Sequence, residues 1–325
     1  MLTVATLLQA SPAPFPGAGE ASAFSAAMVW GVATVLFTLA FRKGKAADAV
    51  LVKNLGGAVV LGLLAFFLAP EFGGGAADAE SIRWLLLSGM IGLGLGDWLY
   101  FVALGHIGVG RTLILGQSLP VLTAFLAWFT HDEWLTAAQW GGVAAIVFGG
   151  LVAESRRKMR GHADGIGIAA AFGAVLAFAV GNGMMAEGVR ETGAIPGAAW
   201  RLVGGTIGIL LVRTFAGELR TAIKTITSAA PWKLFLLPSA VGTWLGMALL
   251  TGGFKWAPQG VAAALAATTP LISIPLAVIF LREKPGWRGW TGAVLVVVGA
   301  AILALAADGL LESILKSSSD DAPVS

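Results

Sequence analysis

The 325-residue chain has no cysteine, only three histidines and little charge, with Asp, Glu, Lys and Arg making up 12% of it. Without cysteine there can be no disulfide, no thiolate nucleophile and no cysteine-held metal or iron–sulfur centre. His106, His131 and His162 are too scattered for a metal-site spacing, so no metal or cofactor is expected. The glycine-rich runs lack the Lys-Ser/Thr of a phosphate loop and read as helix packing, so no nucleotide is expected either. Also missing is the interfacial cluster of His, Asp, Glu and Arg that integral-membrane enzymes usually carry, and a non-enzyme is expected. The shortage of charge says most. Soluble domains carry about 25% charged residues because their surface faces water. Here roughly half of that polar cover is absent, and lipid must solvate much of the surface.

What is abundant agrees. Hydrophobic residues make up 57% of the chain and the mean hydropathy is +0.83. A membrane-crossing helix needs about 20 apolar residues. Such runs occur near 23–41, 48–69, 82–104, 109–130, 136–153, 165–186, 195–213, 232–254, 259–281 and 287–307. The expected fold class is therefore an all-α integral membrane protein of about ten spans. Residues 1–22 lack the basic start of a signal peptide and read as a mobile tail or a misplaced start codon. Residues 154–164 form a basic loop, and 308–325 a polar tail. The net charge of +3 is a topology signal and not a nucleic-acid patch, because the basic residues sit in short loops. The loops after odd-numbered spans hold most of them, which puts those loops inside and both termini outside.

The chain is internally duplicated. At an offset of 150 residues Gly110 meets Gly260, Pro120 meets Pro270, Glu133 meets Glu283 and Trp140 meets Trp290. Gly142 likewise meets Gly292, and Gly149 meets Gly299; residues 110–150 and 260–300 share 10 identities in 41 ungapped pairs. The same offset pairs Gly92 with Gly242 and Gly96 with Gly246, and with a two-residue shift Lys53-x-x-Gly56-Gly57 matches Arg201-x-x-Gly204-Gly205. Five spans is an odd number, so the units 23–153 and 165–307 must insert with opposite orientation. Inverted repeats mark secondary transporters, whose site lies at the repeat interface near mid-membrane.

On these residues the chain resembles the drug/metabolite transporter superfamily, in particular its ten-span EamA-type members. The resemblance covers 23–153 and 165–307 and is carried by Pro120, Glu133, Gly142 and Gly149 with their counterparts Pro270, Glu283, Gly292 and Gly299. It implies export or exchange of small metabolites through a central cavity lined by spans one, three and four of each unit. It also implies both termini inside, against the charge count, and the orientation stays open between the two.

Asp97 is the most informative single residue. A carboxylate within a span costs at least about 2.5–3.5 kcal/mol unless paired, hydrated or neutral, and is a functional candidate by default. It is expected to line the cavity and take substrate or a coupling proton. The competing reading is a structural contact with Arg111 or Gln117. Lys53 and Arg201 lie a few residues inside their spans, where long basic side chains can snorkel to the interface; position favours that reading over one in which both face the cavity and attract an anion. Gln117, Ser118, Asn182, Thr268 and Thr269 are polar residues on cavity spans, read either as cavity lining or as interhelical contacts. Trp30 and Trp244 offer aromatic faces to a substrate, against packing as the alternative. Glu133 and Glu283 read as structural turn residues, with Thr136 and Gln139 forming a capping box that opens span five.

The function expected is a secondary transporter, exporting or exchanging a small metabolite across the inner membrane, with a proton gradient as an economical drive. A membrane enzyme acting on lipid-linked substrates, or a non-transporting sensor, is the alternative. The partners expected are a small molecule and the bilayer. The duplication supplies both halves in one chain, which favours a monomer over a dimer.

Overall fold

The computed structural model describes residues 13–41, 43–44, 46–68, 77–154, 164–281 and 286–307. The tail at 308–325, residues 1–12, most of the 154–164 loop, His162 and Glu283 lie outside the described residues. Those described are almost all helical. Helices α1 (Ala18–Ala40), α2 (Ala46–Leu68), α3 (Ala79–Gly108), α4 (Arg111–His131) and α5 (Ala137–Glu154) form the first unit. The second holds α6 (Gly165–Val189), α7 (Ala194–Phe215), a short α8 (Leu219–Thr227), α9 (Ala229–Trp256), α10 (Gln259–Phe280) and α11 (Trp287–Ala307). Nine of these are long and apolar enough to cross a membrane, and α5, with 18 residues, is the shorter tenth. At 1.5 Å per residue it reaches about 27 Å, close to the hydrocarbon thickness. Helix α1 begins at Ala18, earlier than its apolar run suggests, because Ala18 and Gly19 are buried against the bundle.

Local chemistry sets the ends. Asp78 caps α3 by accepting from the Ser81 amide at 2.8 Å, and hydrogen bonding from the Ser81 side chain and backbone holds its carboxyl below the ordinary value. Asp164 caps α6 by accepting from the Gly167 amide at 2.6 Å. The expected capping box is reciprocal: the Thr136 amide donates to Gln139 Oε1 and the Gln139 amide to Thr136 Oγ1. Glu133 does cap a helix, but in the other unit. Its Oε2 accepts from the Gln259 amide at 2.7 Å, closing the start of α10. The turn from α3 to α4 needs Gly108, whose φ of 77° costs glycine nothing.

Packing follows the duplication. Helix α1 lies against α9 and α10, whereas α6 lies against α3 and α4, so the first span of each unit packs on the third and fourth spans of the other. Helices α2 and α7 pack across the same interface. Outside this group α5 and α11 run antiparallel in close contact. A Cβ on Gly149 would lie 2.7 Å from the Gly292 carbonyl, and one on Gly142 within 3.0 Å of the Gly299 carbonyl. The repeat-matched glycines thus form a reciprocal seam, Gly142 to Gly299 and Gly149 to Gly292, as an inverted pair must. Lipid offers helices no hydrophobic drive to associate, so close backbone approach supplies the contact. Exposed Phe66, Phe129, Phe148, Phe215 and Val294 present the apolar exterior that hydrocarbon solvates.

Two pairs of irregular turns also repeat. Helix α3 widens to π-helical turns over Gly89–Gly96 and α9 over Ala240–Leu245. Helix α4 breaks at Gln117 and Ser118, just before Pro120, and α10 breaks over 267–269, just before Pro270. Proline has no amide to continue the helix ladder, and the preceding turn opens. Irregular backbone at membrane depth is tolerated where it is buried in protein or lines a cavity.

Candidate functional site

These four interruptions surround a cavity of about 480 Å³ between the two units. It reaches from Thr112, in the first turn of α4, to Phe254, in the last turn of α9. Helices α1, α2, α3, α4, α6, α7, α9 and α10 contribute lining residues, while α5 and α11 stand outside. Spans one, three and four of each unit take part, together with both second spans.

Among the described residues, Lys53, Asp97 and Arg201 are the charged ones in the lining. Lys53 Nζ stands 2.6 Å from Asp97 Oδ2, with the two side chains 17% and 15% exposed. Helix geometry explains the meeting. Asp97 lies eleven residues before Gly108, about 16 Å in, and Lys53 lies seven residues after Ala46, about 10 Å in. The lysine stem covers the remaining ~6 Å. The ion pair of Asp97 is therefore with Lys53 and not with Arg111, and Lys53 does not snorkel. The Trp244 indole donates to the Lys53 carbonyl at 3.0 Å and ties that turn of α2 to α9.

Arg201 does not snorkel either, being 2% exposed. One Nη donates to Asn182 Oδ1 at 2.9 Å, and the other contacts the sulfurs of Met185 and Met247. Its Nε has no hydrogen-bond partner, and among the described residues no carboxylate forms an ion pair with it. Asp97 acts on it only through its field. A cation so buried and so weakly compensated is costly to keep.

The other expected residues divide. Trp30, Gln117, Asn182 and Thr269 line the cavity. The Trp30 indole also donates to the Gly242 carbonyl at 2.7 Å, in the π-helical turn of α9. Gln117, packed against Gly150, has a buried Oε1 without a partner. Ser118, Thr268, Trp244 and Arg111 are not in the lining. The repeat-matched hydroxyls of Ser118 and Thr268 each bond back to the carbonyl three residues earlier, Leu115 and Leu265, at 2.7 Å, so they close the broken turn. Sequence reasoning passed over Tyr100, Phe178 and Met247, which also line the cavity; nothing distinguishes them in the sequence from packing residues.

At the end of the bundle beyond Phe254 the cavity helices are tied together. His131 Nε2 lies 3.0 Å from Glu187 Oε2, joining α4 to α6. Glu133 holds the start of α10. Lys255 donates to the carbonyls of Val189, Arg190 and Thr192 at 2.8–3.1 Å, joining α9 to the end of α6.

The model of the EamA-like transporter family matches residues 17–153 and 165–305, once on each repeat. The chain belongs to this family. A solved structure described only as the crystal structure of a protein is similar to this EamA-like chain with a TM-score of 0.70 at 18% identity. It covers 91% of this chain, and the match spans 99% of that one. That likeness shows the fold. No curated protein matches the sequence. The EamA-like chain is a multi-pass membrane protein, and its family is one of membrane transporters of small molecules.

Proposed function

We propose that this EamA-like chain is a secondary transporter that exports or exchanges a small metabolite across the inner membrane by alternating access. The observation that carries this reading is the charged cavity at the interface of two inverted repeats. Repeats of opposite orientation can exchange conformations, so a site between them meets each side in turn. The tie of His131, Glu133 and Lys255 beyond Phe254 supports a state closed at that face. The broken turns before Pro120 and Pro270 are the places where α4 and α10 would bend.

Within this reading Asp97 is the coupling group. Its carboxyl stands 2.6 Å from the Lys53 amine, and a proton taken up by the pair would free the lysine toward the cavity. Proton movement would then be linked to the electrostatics of the binding site without a further ion. The test is untargeted profiling of the medium of cells that overproduce the wild-type chain, the Asp97→Asn variant or an empty vector. A compound enriched by the wild type alone would support export with Asp97 in the mechanism. Equal enrichment by both proteins would remove Asp97 from it. If nothing is enriched, and purified protein in liposomes then moves no labelled metabolite drawn from the cell extract, the transport reading fails.

A further inference from the structure

We infer that the substrate is a monoanionic amphipathic carboxylate, and that its carboxylate binds Arg201 in the place that Asp97 occupies beside Lys53. The inference deepens the transport reading and rests on it for the word substrate, but the binding site itself does not depend on movement across a membrane.

The two repeats differ in what faces their matched cations. Lys53 and Arg201 are equivalent, each three residues before a Gly-Gly pair. Asp97 follows Gly96, and the residue that follows the matching Gly246 is Met247. The structure preserves both relationships. Lys53 faces Asp97 at 2.6 Å, and Arg201 faces Met247, with Nη1 to Sδ at 3.8 Å. One repeat thus carries a cation with its counter-ion, and the other carries a cation beside a thioether in the counter-ion's place.

The sulfurs of Met185 and Met247 stand where the counter-ion would be, on flexible side chains that a carboxylate would displace, and the cation is enclosed at the cavity wall. Arg201 is 2% exposed yet lines the space, and Asn182 takes only one of its donors through a full oxygen acceptor. Two cations and one carboxylate leave the lining with an excess of one positive charge. A ligand with one negative charge neutralises it; a cation would add to it, and a neutral molecule would leave the guanidinium unpaired. Guanidinium forks match carboxylates in a bidentate geometry. The remaining walls set the rest of the molecule. Trp30, Tyr100, Phe178, Leu250 and Phe254 are apolar or aromatic, so an apolar body suits the cavity next to the charged end.

The experiment is calorimetric titration of the purified full-length chain in detergent with acetate, hexanoate and 3-phenylpropionate, and with the neutral analogue 3-phenylpropionamide and the cation 3-phenylpropylamine. The expected result is binding of 3-phenylpropionate at least about tenfold tighter than of its amide or of the amine, since hydrogen bonds to charged groups carry that difference. Met247→Asp, which gives the second repeat the carboxylate of the first, should weaken 3-phenylpropionate by about tenfold or more. Met247→Asn, which matches the shape of Asp without its charge, should weaken it less than Met247→Asp does, and so separates charge from shape. Arg201→Gln should lose binding too, but Met247→Asp decides the matter if that variant does not fold. Equal binding of amide and anion, binding that survives Met247→Asp, or no heat from any of the three carboxylates at millimolar concentration would overturn the inference. Anion binding in a protein that moves nothing in liposomes would leave it standing and sink the transport reading instead.

Discussion

Lys53 and Asp97, from adjacent spans of the first repeat, meet at 2.6 Å on the wall of the central cavity. Both side chains are largely withdrawn from solvent, 17% and 15% exposed. Removing one partner of such a pair leaves an uncompensated charge and costs about 3–5 kcal/mol, whereas replacing both with apolar residues is often neutral. Asp97→Asn should therefore lower thermal stability in detergent and, if Asp97 is the coupling group proposed above, abolish transport. The double variant Lys53→Met with Asp97→Leu should regain stability but not activity. Thermal unfolding of the three proteins, beside uptake into liposomes, separates the two roles. Recovery of activity in the double variant would show that the pair is structural.

That pair also marks where the sequence stops being informative. The ten apolar runs and the 150-residue offset were readable because both are one-dimensional patterns. The partner of Asp97 was not, because it depends on depth. Taking α3 to end near residue 104 placed Asp97 high enough for Arg111. The helix continues to Gly108, which lowers the carboxylate to the level a lysine on α2 reaches. Arg201 looked suited to snorkelling because it lies near the start of its span, but α7 is buried in the bundle and offers that side chain no path to the interface. Ser118 and Thr268 hold matching positions in the two repeats, yet their hydroxyls bond back into the turns before the prolines. Sequence position finds equivalence between residues; only packing tells which way a side chain points.

The glycine seam between α5 and α11 is a built-in comparison. Gly149 abuts the Gly292 carbonyl, whereas Gly141 on the same helix has nothing within 4 Å of its would-be side chain. Gly149→Leu should destabilise the protein by about 1–3 kcal/mol or more, the usual cost of overpacking. Gly141→Leu should leave the melting temperature within a degree or two, since it only adds a side chain facing open space. Melting curves in one detergent suffice. Equal effects would mean that the two helices do not approach as closely as the glycines allow.

Asp164 gives a stability effect with a defined sign. The His106 side chain, at 2.8 Å, and the Gly167 amide hold its carboxyl below the ordinary value of 3.8. A carboxylate whose folded value is depressed stabilises the folded state above its unfolded value, and that contribution disappears as pH falls through the lower folded value. The wild type should thus lose thermal stability relative to Asp164→Asn only as pH drops below about 4. Melting curves at half-unit steps from pH 3 to 5 would check this, and a gap that widens as pH falls through that window would contradict it.

The absence of cysteine makes the tied end of the bundle directly measurable, because any introduced thiol is the only one. Lys255 holds three carbonyls at the end of α6, and Ala263 lines the cavity just inside that face. A cysteine at Ala263 should react slowly with a membrane-impermeant maleimide applied to that face. Lys255→Met removes the tie between α9 and α6 and leaves carbonyls that water can satisfy, so the open state should gain population and labelling should quicken. A shift of 1.4 kcal/mol would give about a tenfold rate increase if opening limits access. The orientation follows from the same approach. A cysteine at Thr136, in the loop after α4, should be labelled in intact spheroplasts if the charge count holds, and one at Ala216, after α7, only once the membrane is permeabilised. The reverse pattern would put both termini inside, as the family resemblance implies. Rapid labelling of the Ala263 cysteine with Lys255 intact would mean that His131, Glu133 and Lys255 join the helices without sealing them, and that the gate lies deeper, at the broken turns before Pro120 and Pro270.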